Sequence, residues 1–353
     1  MRCLLILSIS TILLLYTAIL SVADVPNLKF IISAPVRSNG HPVSKLSCSE
    51  ALNQVVSYQL SPDGRYLFAN LTKDRGYRRF DTSLWQCSSI SNLPDAFTPD
   101  GSLYSYNLPD KSISIYDTKT GKIINKVTYG VGKAAAMTPD GKTVVTFDRT
   151  IRNSTMQSGI PLFISDSRTK AFPVKLSGHK GEPTAVVVSP DGRFIASGAT
   201  DHSIRIWNSK TGALLQTLVW HLGPISALAF TQDSLKLVSG SKDNSLAIWS
   251  IKDGTRLREL WGHIDEINDL TISNDGRHMV SWSYDGELRL WDLEKGSCIK
   301  TIALLDKRQK GECRFMPDSN SVIIASQGYR GSVSIVDIDT GKTTKKFARK
   351  EDL

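Results

Sequence analysis

Gly178-His179, Ser189-Pro190-Asp191-Gly192, Ser197, Asp201 and Trp207 form the first of three near copies of one pattern. The second reads Trp220-His221, Thr231-Gln232-Asp233-Ser234, Ser239, Asp243 and Trp249, and the third Gly262-His263, Ser273-Asn274-Asp275-Gly276, Ser281, Asp285 and Trp291-Asp292. From turn aspartate to turn aspartate both steps are 42 residues. Each copy runs from its His through an apolar strand, a tight turn, a second strand ending in Ser-x-x-x-Asp, and a third strand ending in Trp. The turn has a physical basis. Pro presets φ at its second position, Asp bonds its own backbone, and Gly takes the positive φ needed to re-enter the next strand.

The same turn recurs on both sides, at Ser61 to Gly64, Thr98 to Gly101, Thr138 to Gly141 and Met316 to Ser319. The seven turn aspartates, Asp63, Asp100, Asp140, Asp191, Asp233, Asp275 and Asp318, are spaced by 37, 40, 51, 42, 42 and 43 residues. A period of about 40 to 45 residues, with Gly-His near its start and Trp-Asp near its end, resembles the WD40-repeat family. The resemblance is clear over residues 178–296 and thins on both sides. It implies an all-β fold, a seven-bladed β-propeller whose four-stranded blades cover one another's apolar faces in a closed ring. A single propeller of this kind is read as a monomer.

Length and composition agree. A chain of 353 residues, 41% hydrophobic, has the material for one large core, and the ring needs roughly 300 residues at about 43 per blade. The expected organisation is a leader over 1–23, a strand and loop over 24–53, the propeller over 54–348 and a short tail over 349–353. The net charge of +9 favours anionic partners without identifying one. No motif points to nucleic acid.

Arg2 precedes an apolar run from Leu4 to Leu20, and Ser21-Val22-Ala23 offers small residues for signal peptidase. Cleavage after Ala23 would send the chain into the secretory pathway, and an uncleaved run would anchor it in a membrane with the propeller on the outer side. Lys350-Glu351-Asp352-Leu353 resembles a retrieval tag with its two acids exchanged, which adds the ER lumen as an alternative. Without the leader, Cys48, Cys87, Cys298 and Cys313 remain. Cys48 with Cys87 is the favoured pair and four unpaired strand thiols the alternative. Asn70-Leu71-Thr72 and Asn153-Ser154-Thr155 are glycosylation sequons.

The Trp-Asp position is held by Phe80-Asp81 in the first repeat, Tyr116-Asp117 in the second, Ser165-Asp166 in the third and Val336-Asp337 in the seventh. The overlong step marks Arg149 to Gly159 as an inserted loop. His263, Ser281 and Asp285 have the composition of a nucleophilic triad, but the set recurs in register as His179, Ser197, Asp201 and as His221, Ser239, Asp243, each with a Trp. An enzyme needs one such set. In the resembling family these four residues form a structural hydrogen-bond network, and we read them so. No cofactor or metal constellation is present in the sequence. A propeller hydrolase or quinone-dependent enzyme is the competing class. It would need charged groups converging on the central channel, where Ala134 to Met137, Ala185 to Val188 and Ala227 to Phe230 are apolar. A ubiquitin-ligase adaptor is disfavoured by the leader and by the lack of a basic residue after Trp291-Asp292-Leu293.

A binding scaffold is the remaining reading. In a propeller the loops between blades and those joining second to third strands share a face. One candidate partner surface, for an acidic partner, lies at blades seven and one: Arg75, Tyr77, Arg78, Arg79, Lys307, Arg308, Lys310, Tyr329 and Arg330, with Arg349 and Lys350. A second comprises Trp220, Lys242, Trp261 and Tyr284, where the two tryptophans serve either as anchors or as blade packing.

Overall fold

The computed structural model describes residues 55–71, 76–84, 86–90, 92–108, 110, 112–127, 133–147, 160–166, 168, 172–304, 311–326 and 332–347. The chain divides into two compact units, 1–47 and 48–353, and every described residue belongs to the second. The expected leader, the segment over 24–53, the inserted loop at 149–159 and the tail lie outside the described residues.

Among the described residues twenty-eight strands form seven sheets of four, and in each sheet the strands follow chain order as an antiparallel meander. Blades one to seven span 55–90, 96–127, 133–176, 183–219, 225–260, 267–303 and 311–347. Second strands are buried on both faces because neighbouring blades cover both. Phe194–Ala199, for example, buries five consecutive residues, whereas the outermost strand Leu214–Val219 is mostly exposed.

The ring is closed by seven apolar clusters, one at each seam between blades. Tyr66 and Phe68 meet Tyr104 and Tyr106 between blades one and two, and Trp249 joins Ile204 and Ile206 between four and five. Between seven and one, Ile323, Ala325, Val333 and Ile335 pack on Tyr58, Leu60, Leu67 and Phe80. At roughly 1.5–3 kcal/mol for each large apolar side chain removed from water, these seams are the main stabilising term.

The turns also link blade to blade. Ser234 (φ 59°) and Ser319 (φ 56°) stand where the other turns have Gly, in a left-handed conformation that is unfavourable for a side chain. A hydrogen bond offsets the cost in each case. Ser234 Oγ accepts from Asp191 N (3.1 Å) and Ser319 Oγ from Asn274 N (3.3 Å), both on the preceding blade.

Strand register confirms the four substituted Trp positions. Trp207 lies opposite Ile195, Trp249 opposite Leu237 and Trp291 opposite Met279. In the same places Phe80 faces Leu67, Tyr116 faces Tyr104, Ser165 faces Val144 and Val336 faces Val322. Cys87 is disulfide-bonded, while Cys298, exposed, and Cys313, buried, are free thiols. Cys48 lies outside the described residues.

Candidate functional site: a loop face held by three buried networks

In blade four, Trp207 Nε1–H donates to Ser197 Oγ (2.9 Å), Ser197 Oγ lies 2.8 Å from His179 Nε2, and His179 Nδ1 lies 3.1 Å from Asp201 Oδ2. A carboxylate only accepts, so Nδ1 carries the imidazole proton and Nε2 accepts from the serine hydroxyl. Blade five repeats the chain through Trp249, Ser239, His221 and Asp243 (2.9, 2.8 and 3.0 Å), and blade six through Trp291, Ser281, His263 and Asp285 (2.8, 2.7 and 2.8 Å). All three serines are fully buried under their indoles. A nucleophile must meet its substrate, and these cannot.

Burial drives the His179 and His263 imidazoles below the ordinary histidine range, outweighing the pull of Asp201 and Asp285, so the neutral form belongs to the fold. Burial pushes the Asp201 carboxyl up, but hydrogen bonds from Ser203 and from Lys180 N, with His179 alongside, bring it to about 2. Asp243 and Asp285 are lowered by their histidines and by backbone N–H donors in the same way, against the same burial. His263, Asp285 and Glu287 are, among the described residues, the one trio of ligand-type groups close enough to share an ion. Both His263 nitrogens are already engaged, and Glu287 is paired with Arg289 (2.9 Å).

Each network also fixes the loop that enters its blade. The aspartate accepts from the backbone N–H of the residue after the histidine: Lys180 (2.7 Å), Leu222 (2.8 Å) and Ile264 (3.1 Å). With that N–H held inward, the side chains stand outward, and Leu222 is 85% and Ile264 82% exposed. Trp261 is 59% exposed beside them in sequence, its indole N–H on Glu259 (3.2 Å).

Trp220 has a different job. In blades four and six the residue before the histidine is Gly178 (φ 148°) or Gly262 (φ 149°), and a Cβ there would meet the guanidinium of Arg205 or Arg289 at 2.3 or 2.2 Å. In blade five the arginine position holds Ala247, and Trp220 fills the vacated space, packed on the apolar cluster that contains Ala247. Arg256 lies 4.3 Å above the Trp220 ring, and Trp261 meets it edge-on at 5.7 Å. Trp220 is therefore blade packing that supports Trp261. Lys242 is exposed but bound to Glu266 (2.8 Å), and Tyr284 is half-buried beside that pair.

Of the basic surface expected at blades seven and one, Tyr77, Arg78 and Arg79 are described; Arg75, Lys307, Arg308, Lys310, Tyr329 and Arg330 lie outside the described residues. Arg79 does not face the loops. Its guanidinium donates to the Thr118 carbonyl of blade two and lies 5.5 Å from the Tyr66 ring. It sits mid-strand, opposite Phe68 and Ser88, which directs it across the seam. Asn70 is half-buried in the second strand of blade one, between Ser57 and Tyr77, and Asn153 is outside the described residues.

The channel corrects a second expectation. The inner strands of blades three to five are apolar as read, but blades six and seven place Asp269, Glu312 and Arg314 on the same lining. Arg314 Nη1 pairs with Asp269 Oδ2 at 2.6 Å, and Glu312 Oε2 accepts from Leu60 N of blade one at 3.0 Å. The signal was available, since Asp269 and Glu312 both stand six residues before their turn aspartates, where blades three to five have alanine.

A family model described as WD domain, G-beta repeat matches residues 171–208, 212–250 and 254–292. Each matched repeat begins with the outermost strand of one blade and ends with the third strand of the next, so the sequence unit straddles a seam. The chain is similar to WD repeat-containing protein 82 of Drosophila melanogaster, 27% identical over 170 residues that cover 44% of this chain and 50% of that protein. The match thus spans about half the length of that curated relative. The three matched repeats, with their three indole–serine–histidine–aspartate networks, are WD40 repeats that build blades four to six of a seven-bladed β-propeller.

Proposed function

We propose that this propeller is a non-enzymatic scaffold that docks a protein partner on the loop face of blades five and six. Leu222, Ile264 and Trp261 carry the reading: large apolar side chains stand in solvent on loops whose backbone is tied down by buried carboxylates. Such groups cost little to order on binding and gain by burial, which is the physics of an interface anchor. Val219, 71% exposed at the end of the preceding outer strand, extends the apolar character. WD40 propellers typically serve as platforms for proteins, which supports the same reading.

We assign the protein to the secretory pathway, on the strength of the leader. The disulfide at Cys87 accords with an oxidising compartment. N-terminal sequencing of protein from secretory cells tests this, and an intact Met1 on cytosolic material rejects it.

The docking surface is tested with Leu222→Ser, Trp261→Ser and Ile264→Ser combined. None of the three side chains is part of a network, so thermal stability should stay near that of the parent. Proximity labelling in the native compartment should lose its major labelled proteins. A labelling pattern unchanged by the triple variant would move the docking surface elsewhere on the ring.

A further inference from the structure

At the hairpin end of the central channel a cavity of about 250 Å³ is lined by residues of all seven blades. Its walls are largely apolar, among them Ala136, Val187, Ala229 and Leu270, and its charged groups are few: Asp95, Asp269 and Glu312 against the single cation Arg314. In a chain of net charge +9 this is a local excess of carboxylate. A concave apolar wall with a few convergent polar groups is the usual form of a small-ligand site.

The charged groups are unevenly satisfied. Asp269 Oδ2 accepts from both Arg314 Nη1 (2.6 Å) and Cys313 N (2.8 Å), which consumes most of the guanidinium's charge. Asp95 Oδ2 is taken by Asn107 N at 2.6 Å. Among the described residues Glu312 has no cationic partner of its own within ion-pair distance, since Arg314 is paired with Asp269. Oε2 of Glu312 accepts from Leu60 N, and among the described residues its Oε1 has no hydrogen-bond donor. Beside it, Tyr58 is 5% exposed, and its hydroxyl closes no hydrogen bond of normal geometry. A half-buried carboxylate on an apolar cavity wall, with one oxygen uncommitted, is open to a donor-rich ligand.

We propose that the channel cavity binds a small organic cation, an alkylammonium or alkylguanidinium, with its charged head on Glu312 and Asp269 and its stem along the alanine and valine wall. A bare metal ion fits less well, because among the described residues these carboxylates do not gather three ligand atoms within reach of one another. Burial holds the Glu312 carboxyl above its ordinary range, with Arg314 pulling it down and Asp269 pushing it up. The groups facing it are Arg314 and Cys313 on its own strand, Asp269 from blade six and Tyr58 from blade one, with Asp95 elsewhere on the lining. A cation arriving at a protonated Glu312 displaces its proton, so affinity rises with pH until the carboxyl is already ionised.

Titration calorimetry on the full chain with n-butylammonium and n-butylguanidinium, and with n-butanol as the neutral counterpart, tests the site. Saturable binding of a cation is expected, with affinity rising with pH and falling at least about tenfold in Glu312→Gln. Glutamine retains an acceptor for Leu60 N, so without ligand that variant should melt at or above the parent temperature. Failure of both cations to bind, binding of n-butanol as tight as that of the cations, or equal affinity in Glu312→Gln would overturn the proposal. A Glu312→Gln protein that melts well below the parent without ligand would instead assign the carboxylate to the framework between blades seven and one.

Discussion

Blades four to six and blades one, two, three and seven share one backbone plan and solve its interior in two ways. The first group spends three polar side chains and an indole per blade on a directional hydrogen-bond chain that ends on a loop N–H. The second fills the same positions with whatever packs. Phe80 is fully buried in blade one, Val336 nearly so in blade seven, and in blade two Tyr116 stacks on Tyr104 with ring centres 5.2 Å apart. Blade two even keeps half of the network. Asp110 stands ten residues after its turn aspartate, as Asp201 does, and accepts from Ser112 as Asp201 accepts from Ser203, but it is exposed. Apolar packing suffices to close a blade, whereas the network is what holds a loop at a set height above it. The outward apolar residues Leu222 and Ile264 occur where the network does, which ties the proposed docking surface to the interior beneath it.

The largest test of that contrast is at the Trp position. Trp249→Ala should cost about 3–5 kcal/mol in denaturant unfolding, since it opens a cavity and leaves Ser239 and His221 without their cap. Val336→Ala, at the matched position of blade seven, should cost about 2 kcal/mol. Equal losses would mean that the indole and its hydrogen bond contribute no more than a valine does. Next in size, Asp285→Ala strands the His263 Nδ1–H and the Ile264 N–H and should cost about 2–3 kcal/mol, with faster amide exchange at Ile264. The matched change Asp110→Ala should leave the midpoint where it is.

A smaller effect separates the two groups by pH. His179 and His263 titrate lower in the fold than in the unfolded chain, so below about pH 6.5 the unfolded state binds more protons and stability declines as pH falls. Asp201, held at about 2, adds a further loss from the ordinary carboxylate range downward. Replacing both histidines by Gln should flatten the first part of that decline while lowering stability at neutral pH. A slope between pH 6.5 and 5 that survives the double replacement would place its origin outside the networks.

Most of this architecture was legible because it repeats. The turn Asp-Gly step, the His to Asp spacing and the strand-ending Trp are local patterns, and a periodic pattern averages out the tertiary exceptions that defeat single-strand readings. The Arg79 and Trp220 environments were not legible, for a common reason. Arg79 answers to a carbonyl one blade away and Trp220 to the absence of an arginine at Ala247, and neither relation is local in sequence. The channel charges were readable by counting back from each turn aspartate. They went unread because the alanines of blades three to five made the lining look uniform.

Thr146 offers the finest cut between the two kinds of blade. It occupies in blade three the serine position of the networks, lying opposite Phe163 as Ser197 lies opposite Arg205, and it is fully buried. Among the described residues its hydroxyl has no hydrogen-bond partner. The residue at the indole position is Ser165, which has no indole N–H to offer. A buried hydroxyl without a partner costs more than the methyl group that could replace it. Thr146→Val should therefore be neutral or stabilise the protein by up to about 1 kcal/mol. Ser197→Ala should destabilise it by about 1–3 kcal/mol, because Trp207 N–H and His179 Nε2 lose their shared partner. A thermal melt of the two single variants and the double variant reads both signs at once. If Thr146→Val lowers the midpoint, blade three retains a polar network of its own and belongs with blades four to six.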